Sequence, residues 1–263
     1  MKRIDTHSHP KISKHFHLDP GAIVRMAAMG RRVGLDGLSL TEHFHARGFW
    51  HVYEHLGTTY ERRGGVFWSN GLALIPGAEV NIREGAHVIV LGEVRELERL
   101  DRAFPAPLSD GYEPGLEEFL DVSASLDLAR IGAHMFRPKK ELGKFPVRLL
   151  RRLDALEVNG KDFGSELMLL TQARALGLPV VGGSDAHHWL QVGVRHTLMH
   201  TDEITAASVV QSVKEGLTGY GVSSYTLLRV RVAKTVKKVT KRWRGLHGPS
   251  ALAGPPSRPA SAA

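Results

Sequence analysis

The chain contains no cysteine. Disulfides and thiolate nucleophiles are therefore excluded, and any bound metal must be held by nitrogen and oxygen donors. Long uninterrupted apolar runs are missing too, so no segment reads as a membrane span. Met1-Lys2-Arg3 leads directly into the first apolar residues without room for an apolar leader, and the expected location is cytoplasmic. Acidic residues are absent after Glu215, whereas nine of the 35 Lys and Arg lie beyond it. Without those nine, 26 basic side chains face 27 acidic ones, a balance of −1 for residues 1–228 against +8 for the whole chain. The basicity belongs to the C-terminal segment and bears on what that segment touches, not on the substrate of the rest.

Histidine is what the chain has, 15 in all. Asp5-Thr6-His7-Ser8-His9 ends a short apolar run on two imidazoles one residue apart. Side chains at i and i+2 of a strand share a face, so His7 and His9 are placed to chelate one ion. The same event recurs. Leu35 to Thr41 runs into Glu42-His43, and Leu72 to Ala78 into Glu79. His87 opens Val88 to Gly92, Ala129 to Ala133 runs into His134, and Leu178 to Ser184 into Asp185-Ala186-His187. Strand, polar residue, loop, helix is the grammar of a barrel whose site lies at the strand ends, where residues distant in sequence converge.

In that order, HxH, a further His, Thr-Glu-His, Gly-Ala-Glu, a His before a Val/Leu-Gly run, Ala-His and Ser-Asp-Ala-His, the motifs resemble the PHP (polymerase and histidinol phosphatase) family, over roughly residues 3–217. Ala155 to Gly160 and Val192 to Thr197 also resemble segments of its short, free-standing bacterial members. The resemblance implies an α/β fold, a distorted TIM-like (β/α)7 barrel, and a metal-dependent hydrolase acting on phosphomonoesters or phosphodiesters. It implies two to three divalent ions, Zn, Mn or Fe, with a metal-bound hydroxide as nucleophile. Carried over residue by residue, His7, His9, Glu79 and Asp185 would hold one ion. Glu79 would bridge to a second completed by His87 and His134, and His15, His43 and His187 would hold a third. His17 is the alternative to His15, and Glu42 stands where many members have Asp, placing a longer side chain behind the ligands. Glu157 and Asn159 would support or line the site. Met135 departs from the family's usual Ala-His-Pro.

Arg137 and Lys139 follow His134 closely and are candidate phosphate-binding residues, Arg137 through bidentate bonds. His45, His51 and His55 read as pocket-rim residues, with His45 or His188 as a spare proton donor for the leaving group. Helices are predicted at residues 22–32, 52–62, 116–128, 165–176 and 203–215, the last capped by Asp202. The expected organisation is a barrel over residues 1–224, a basic amphipathic helix over 225–244, and a disordered Gly/Pro/Ser/Ala tail over 245–263. Leu228, Val232, Val236, Val239 and Trp243 recur at helical spacing, which suits docking on the barrel or contact with an anionic partner, nucleic acid or membrane surface. The substrate classes left open are a phosphorylated small molecule or nucleotide, and a nucleic acid cut by a nuclease or repair-type enzyme. A non-catalytic metal-stabilised module is the third reading, and nine ligand positions argue against it.

Overall fold

The computed structural model describes residues 1–11, 13, 15–224 and 226–247, the side chains of 234, 237 and 240–247 excepted. Among the described residues, eleven strands form one sheet: β1 (Lys2–Ser8), β2 (Gly37–Leu40), β3 (Glu61–Arg63), β4 (Val66–Ser69), β5 (Leu72–Ile82), β6 (Ala86–Gly92), β7 (Leu128–Gly132), β8 (Ala155–Asn159), β9 (Val180–Gly183), β10 (Arg195–Met199) and β11 (Thr218–Val222). The path β1-β2-β5-β6-β7-β8-β9 curls round until Ser8 bridges Ala186 in parallel, with the His9 N–H donating to the Ala186 carbonyl at 2.7 Å. The result is the expected barrel, nearly closed. β6 runs antiparallel to both β5 and β7, joined to β5 by a tight turn at Ile82–Ala86. β10 and β11 extend the sheet antiparallel beyond β1, and the β3–β4 hairpin, which periodicity did not reveal, pairs with β5.

The helices are α1 (Pro20–Arg32), α2 (Trp50–Thr59), α3 (Val94–Asp101), α4 (Leu116–Ser123), α5 (Val147–Leu150), α6 (Glu166–Leu176), α7 (Ala206–Lys214) and α8 (Thr226–His247). Asp19 caps α1 by accepting the Gly21 N–H, with Pro20 preset for the first turn. Gly177, at φ 72°, ends α6 in the left-handed region that a β-carbon disfavours. α7 starts later than predicted. Its cap is Thr205, whose hydroxyl accepts the Ser208 N–H in a reciprocal pair, and not Asp202. α8 runs to His247, past the expected boundary at 244, and the rest of the expected tail, residues 248–263, lies outside the described residues. It docks on the barrel by a face other than the expected stripe, burying Val230 and Ala233 while Leu228, Val232 and Val239 are exposed, and Arg229 donates to the Leu190 and Val192 carbonyls. No described helix is long and apolar enough to cross a membrane.

Strand alternation divides the barrel interior. Ile75, Ile89, Ile131, Ala155 and Val181 fill one level together with Val209, Val210 and Val213 of α7, a dry plug whose burial excludes water. Residues two or four positions along the same faces, Glu79, His87, Ala133, Glu157 and Gly183, occupy the next level. Because β6 is reversed, His87 at its start lies at the same barrel end as residues near the finish of the parallel strands. The outer faces, with Leu38, Leu74, Val90 and Leu156, pack beneath the helices.

Candidate metal centre

Glu79 is 1 % exposed and is surrounded by imidazoles. Its Oε1 lies 2.5 Å from His87 Nδ1 and 3.0 Å from His134 Nε2. Its Oε2 lies 3.2 Å from His43 Nδ1, 3.3 Å from His9 Nε2 and 3.6 Å from His7 Nε2. The two oxygens thus serve different sets of nitrogens, which is the arrangement of a bridging carboxylate. Three overlapping groups have ligand atoms close enough for one ion: His7, His9 and Asp185; His9, His43 and Glu79; and Glu79, His87 and His134.

The strand-end pair behaves as its spacing predicts, with His7 Nε2 and His9 Nε2 3.0 Å apart. Asp185 reaches the same place differently. At φ 51° it lies in the left-handed region, as does His134 at φ 32°, so the chain turns sharply where each side chain is presented. Such backbone costs about 1–3 kcal/mol per residue and persists where surrounding packing over-determines it.

A buried carboxylate holds His7. Glu157 Oε1 accepts from His7 Nδ1 at 2.7 Å, while Oε2 accepts the His134 backbone N–H and the Asn159 side-chain amide, both at 3.0 Å. In its neutral form, with the proton on Nδ1, His7 would present a lone pair at Nε2 to an ion. Gly183 makes this approach possible: a β-carbon there would lie 2.6 Å from His7 Cβ and overlap Glu157 Oε1. Glu42 supports His9 from the other side, with Oε1 3.5 Å from His9 Nδ1.

Asp185 also carries two cations. Lys161 Nζ lies 2.7 Å from Oδ1 and 3.2 Å from His187 Nδ1, and Arg137 Nη1 donates to Oδ2 at 2.8 Å. Arg137 further grips Asp162 through Nε and Nη2 at 3.1 and 3.0 Å and donates to Asn159. Sequence reasoning placed Arg137 on a phosphate; here its donors orient Asp185. Lys161 was passed over because its partners lie 24 and 26 positions away, although Gly160 before it allows a turn tight against Ser184.

Eight of the nine expected ligand residues gather here. The exception is His15, on an exposed turn outside all three groups; His17 is likewise exposed and outside them. The third set therefore does not form from His15, His43 and His187. His43 joins His9 and Glu79, while the His187 ring packs on that of His9 at 4.1 Å and its Nδ1 lies 3.4 Å from Asp185 Oδ1. Lys139 is exposed, with its backbone in the left-handed region at φ 67°. Of the rim histidines, His45 packs near His43 at 5.2 Å, and His55 lies out on α2 beside Tyr60.

Electrostatics match a cation site. Burial opposes ionisation of Glu79, but His87, His43 and His7 outweigh it and hold the carboxyl well below its usual range. For Asp185 burial is likewise outweighed, by Lys161 and His7. Burial pushes His43 down to about 3 and lowers His87 and His187, keeping these imidazoles neutral with lone pairs free. His7 moves the other way: burial opposes its charge, yet Glu157, Glu79 and Asp185 raise it well above the ordinary value. Buried ring nitrogens His9 Nδ1, His43 Nδ1, His87 Nε2 and His134 Nδ1 have no hydrogen-bond partner. Of these only His43 Nδ1 faces Glu79, at 3.2 Å from Oε2; His9 Nδ1 faces Glu42, and those of His87 and His134 lie across the ring from the nitrogen that meets Glu79. That one orphan and the donor set, neutral imidazoles around ionised carboxylates, fit divalent metal ions bound by nitrogen and oxygen.

Residues 170–218 match the family model described as PHP-associated. The chain is similar in structure to PsfC from Pseudomonas syringae PB-5123, at 27 % identity and a TM-score of 0.79, covering 91 % of this chain and 98 % of that one. It shares its fold with a two-domain protein from Bacteroides vulgatus containing a predicted PHP-like metal-dependent phosphoesterase (16 % identity, TM-score 0.59, 84 % of this chain and 65 % of that one). The resemblance to the PHP family holds. The fold is also shared with the lesion-specific endonuclease PfuEndoQ from Pyrococcus furiosus, at 17 % identity and a TM-score of 0.65, over 84 % of this chain and 57 % of the endonuclease. No curated protein sequence matches.

Proposed function

We propose that this PHP-like chain is a metal-dependent phosphoesterase, hydrolysing a phosphomonoester or phosphodiester at the centre built around Glu79. The observation that carries the reading is Glu79 itself, a buried carboxylate whose two oxygens face five imidazoles in two sets. His7, His9 and Asp185 would hold one ion, His87 and His134 another shared through Glu79, and His43 with His9 a third. Bound there, divalent ions would supply an activated water at neutral pH and neutralise phosphoryl charge.

The chain's own groups do the rest. Glu157 keeps His7 in the tautomer whose Nε2 is a donor of electrons. Arg137 and Asn159 brace Asp185 and Glu157, so the donor atoms are placed before substrate arrives. Lys161 stands at the edge of the centre as a cation suited to an incoming phosphoryl oxygen. No serine or cysteine nucleophile is required.

Elemental analysis, paired with hydrolysis of an aryl phosphomonoester and a phosphodiester with and without Mn²⁺, tests this. Two to three ions per chain with chelator-sensitive turnover is the expected result, and the preferred ester separates phosphatase from diesterase. Less than one ion per chain after reconstitution, with no turnover, would leave a binding module. A second reading, a nuclease, draws on the exposed Arg231 and Lys238 of α8. It predicts nucleic-acid affinity that falls steeply with salt and is lost on reversing both charges.

A further inference from the structure

Beside the centre lies a cavity of about 160 Å³, separated from His9 by the His187 ring and lined also by Lys11, Asp19, Ala22, Arg25 and Trp189. Arg25 is neutralised there by Asp19 at 2.7 Å. Lys11 is not neutralised in this way. Its side chain is 2 % exposed, and its ammonium donates to the Arg47 carbonyl at 2.6 Å. Among the described residues no carboxylate comes within ion-pair distance of that ammonium; Glu42 acts on it only from farther away. Its backbone N–H, by contrast, is bound by Glu42 Oε2.

An ammonium has three donors, and a buried one whose counter-charge lies beyond ion-pair distance is costly. Such a cost is offset when an anion enters. The lining also carries apolar surface from Pro10, Ala22, Met26 and Trp189, so the entering group would carry a carbon skeleton as well as charge. We propose that this cavity receives the leaving group of the phosphoester, and that the leaving group carries its own anionic substituent, a carboxylate or a second phosphate, bound by Lys11. The inference rests on the phosphoesterase reading above. In the reaction, a water oxygen bonds to phosphorus, the bond from phosphorus to the leaving oxygen breaks, and one water proton ends on that oxygen. Lys11 binds the far end of the leaving group and does not touch the reacting atoms.

The test uses the full chain loaded with Mn²⁺ and two esters that differ in charge, 4-carboxyphenyl phosphate and 4-carbamoylphenyl phosphate, with 1,4-phenylene bisphosphate as the phosphate-bearing arm. The carboxylate should raise kcat/KM over the amide by about 10- to 100-fold, the contribution of one charged hydrogen bond. In Lys11→Met that ratio should fall toward unity, and Lys11→Arg should retain most of it. A bisphosphate that outruns both esters would identify phosphate as the substituent. Calorimetric titration of the metal-free chain with 4-carboxybenzylphosphonate and its amide reads the same preference without turnover and without a variant that has to fold. Equal kcat/KM for charged and neutral esters, or a ratio unchanged in Lys11→Met, overturns the assignment and leaves the phosphoesterase reading standing. No turnover of any ester with Mn²⁺, Zn²⁺ or Fe²⁺ overturns that reading and the leaving-group assignment with it.

Discussion

Replacing Glu157 by Gln changes one oxygen to an amide and leaves the shape of the site alone. The carboxylate accepts three N–H groups, one at Oε1 and two at Oε2. A Gln amide has one oxygen. Turned to keep the His134 N–H and the Asn159 amide satisfied, it faces its NH₂ toward His7 Nδ1, and that nitrogen must become the acceptor. The His7 proton then moves to Nε2, the atom 3.0 Å from His9 Nε2 and 3.6 Å from Glu79 Oε2. A proton now occupies the position that an ion would use. The opposite amide rotamer points NH₂ at two donors and strands both in a buried site, at about 1–3 kcal/mol each. Loss of such an orienting partner costs about 10- to 100-fold in metal affinity, or roughly 1.4–2.7 kcal/mol. Competition titration against a chelator of known affinity measures it, with wild type and variant at the same pH. Unchanged affinity in Glu157→Gln would show that the His7 tautomer is not set by Glu157, and would remove the reason for placing a ligand lone pair on His7 Nε2.

Four further outcomes are expected. Glu79→Gln should lower the metal content more than His187→Ala does, because Glu79 belongs to two of the three groups; elemental analysis of both variants checks this. His15→Ala should leave metal content unchanged, and losing an equivalent would place this exposed side chain in the centre. Metal present at about 100 times its dissociation constant should stabilise the fold by about 2.7 kcal/mol, seen as a thermal midpoint that drops on adding chelator. In the metal-free chain, His43 is depressed from 6.5 to about 3, so its contribution to stability is present above pH 6.5 and is lost as pH falls toward 3. Urea unfolding at pH 7 and pH 4 should therefore show less acid sensitivity in His43→Gln than in wild type, by up to about 1.4 kcal/mol per pH unit.

Much of the centre was legible because ligand geometry is written locally. HxH at a strand end needs only the two-residue repeat of a strand, and His7 and His9 converge as that repeat requires. The barrel was legible from recurrence, since each apolar run buried on both faces ends on a polar residue. His15 stands apart from the three groups for the opposite reason: it lies in an irregular stretch, where no strand or helix repeat aims a side chain. Arg137 was read by proximity to His134, but its partners Asp162 and Asp185 come from other loops. Asp202 and Thr205 are both capping residues by type, and only the packing of α7 against the barrel interior selects between them.

The sequence by itself determined the donor chemistry, nitrogen and oxygen without sulfur, and the strand periodicity that presents it. The order of its motifs carried the family likeness. Tertiary structure alone decided which donors stand close enough to share an ion, that Glu79 stands among five imidazoles, and that Lys161 and Arg137 grip Asp185. It also decided that Lys11 is buried beside the centre without a carboxylate within ion-pair distance among the described residues. These are distances between residues tens to hundreds of positions apart. They arise only when the sheet curls until Ser8 meets Ala186, because closing the barrel is what brings the strand ends to one point.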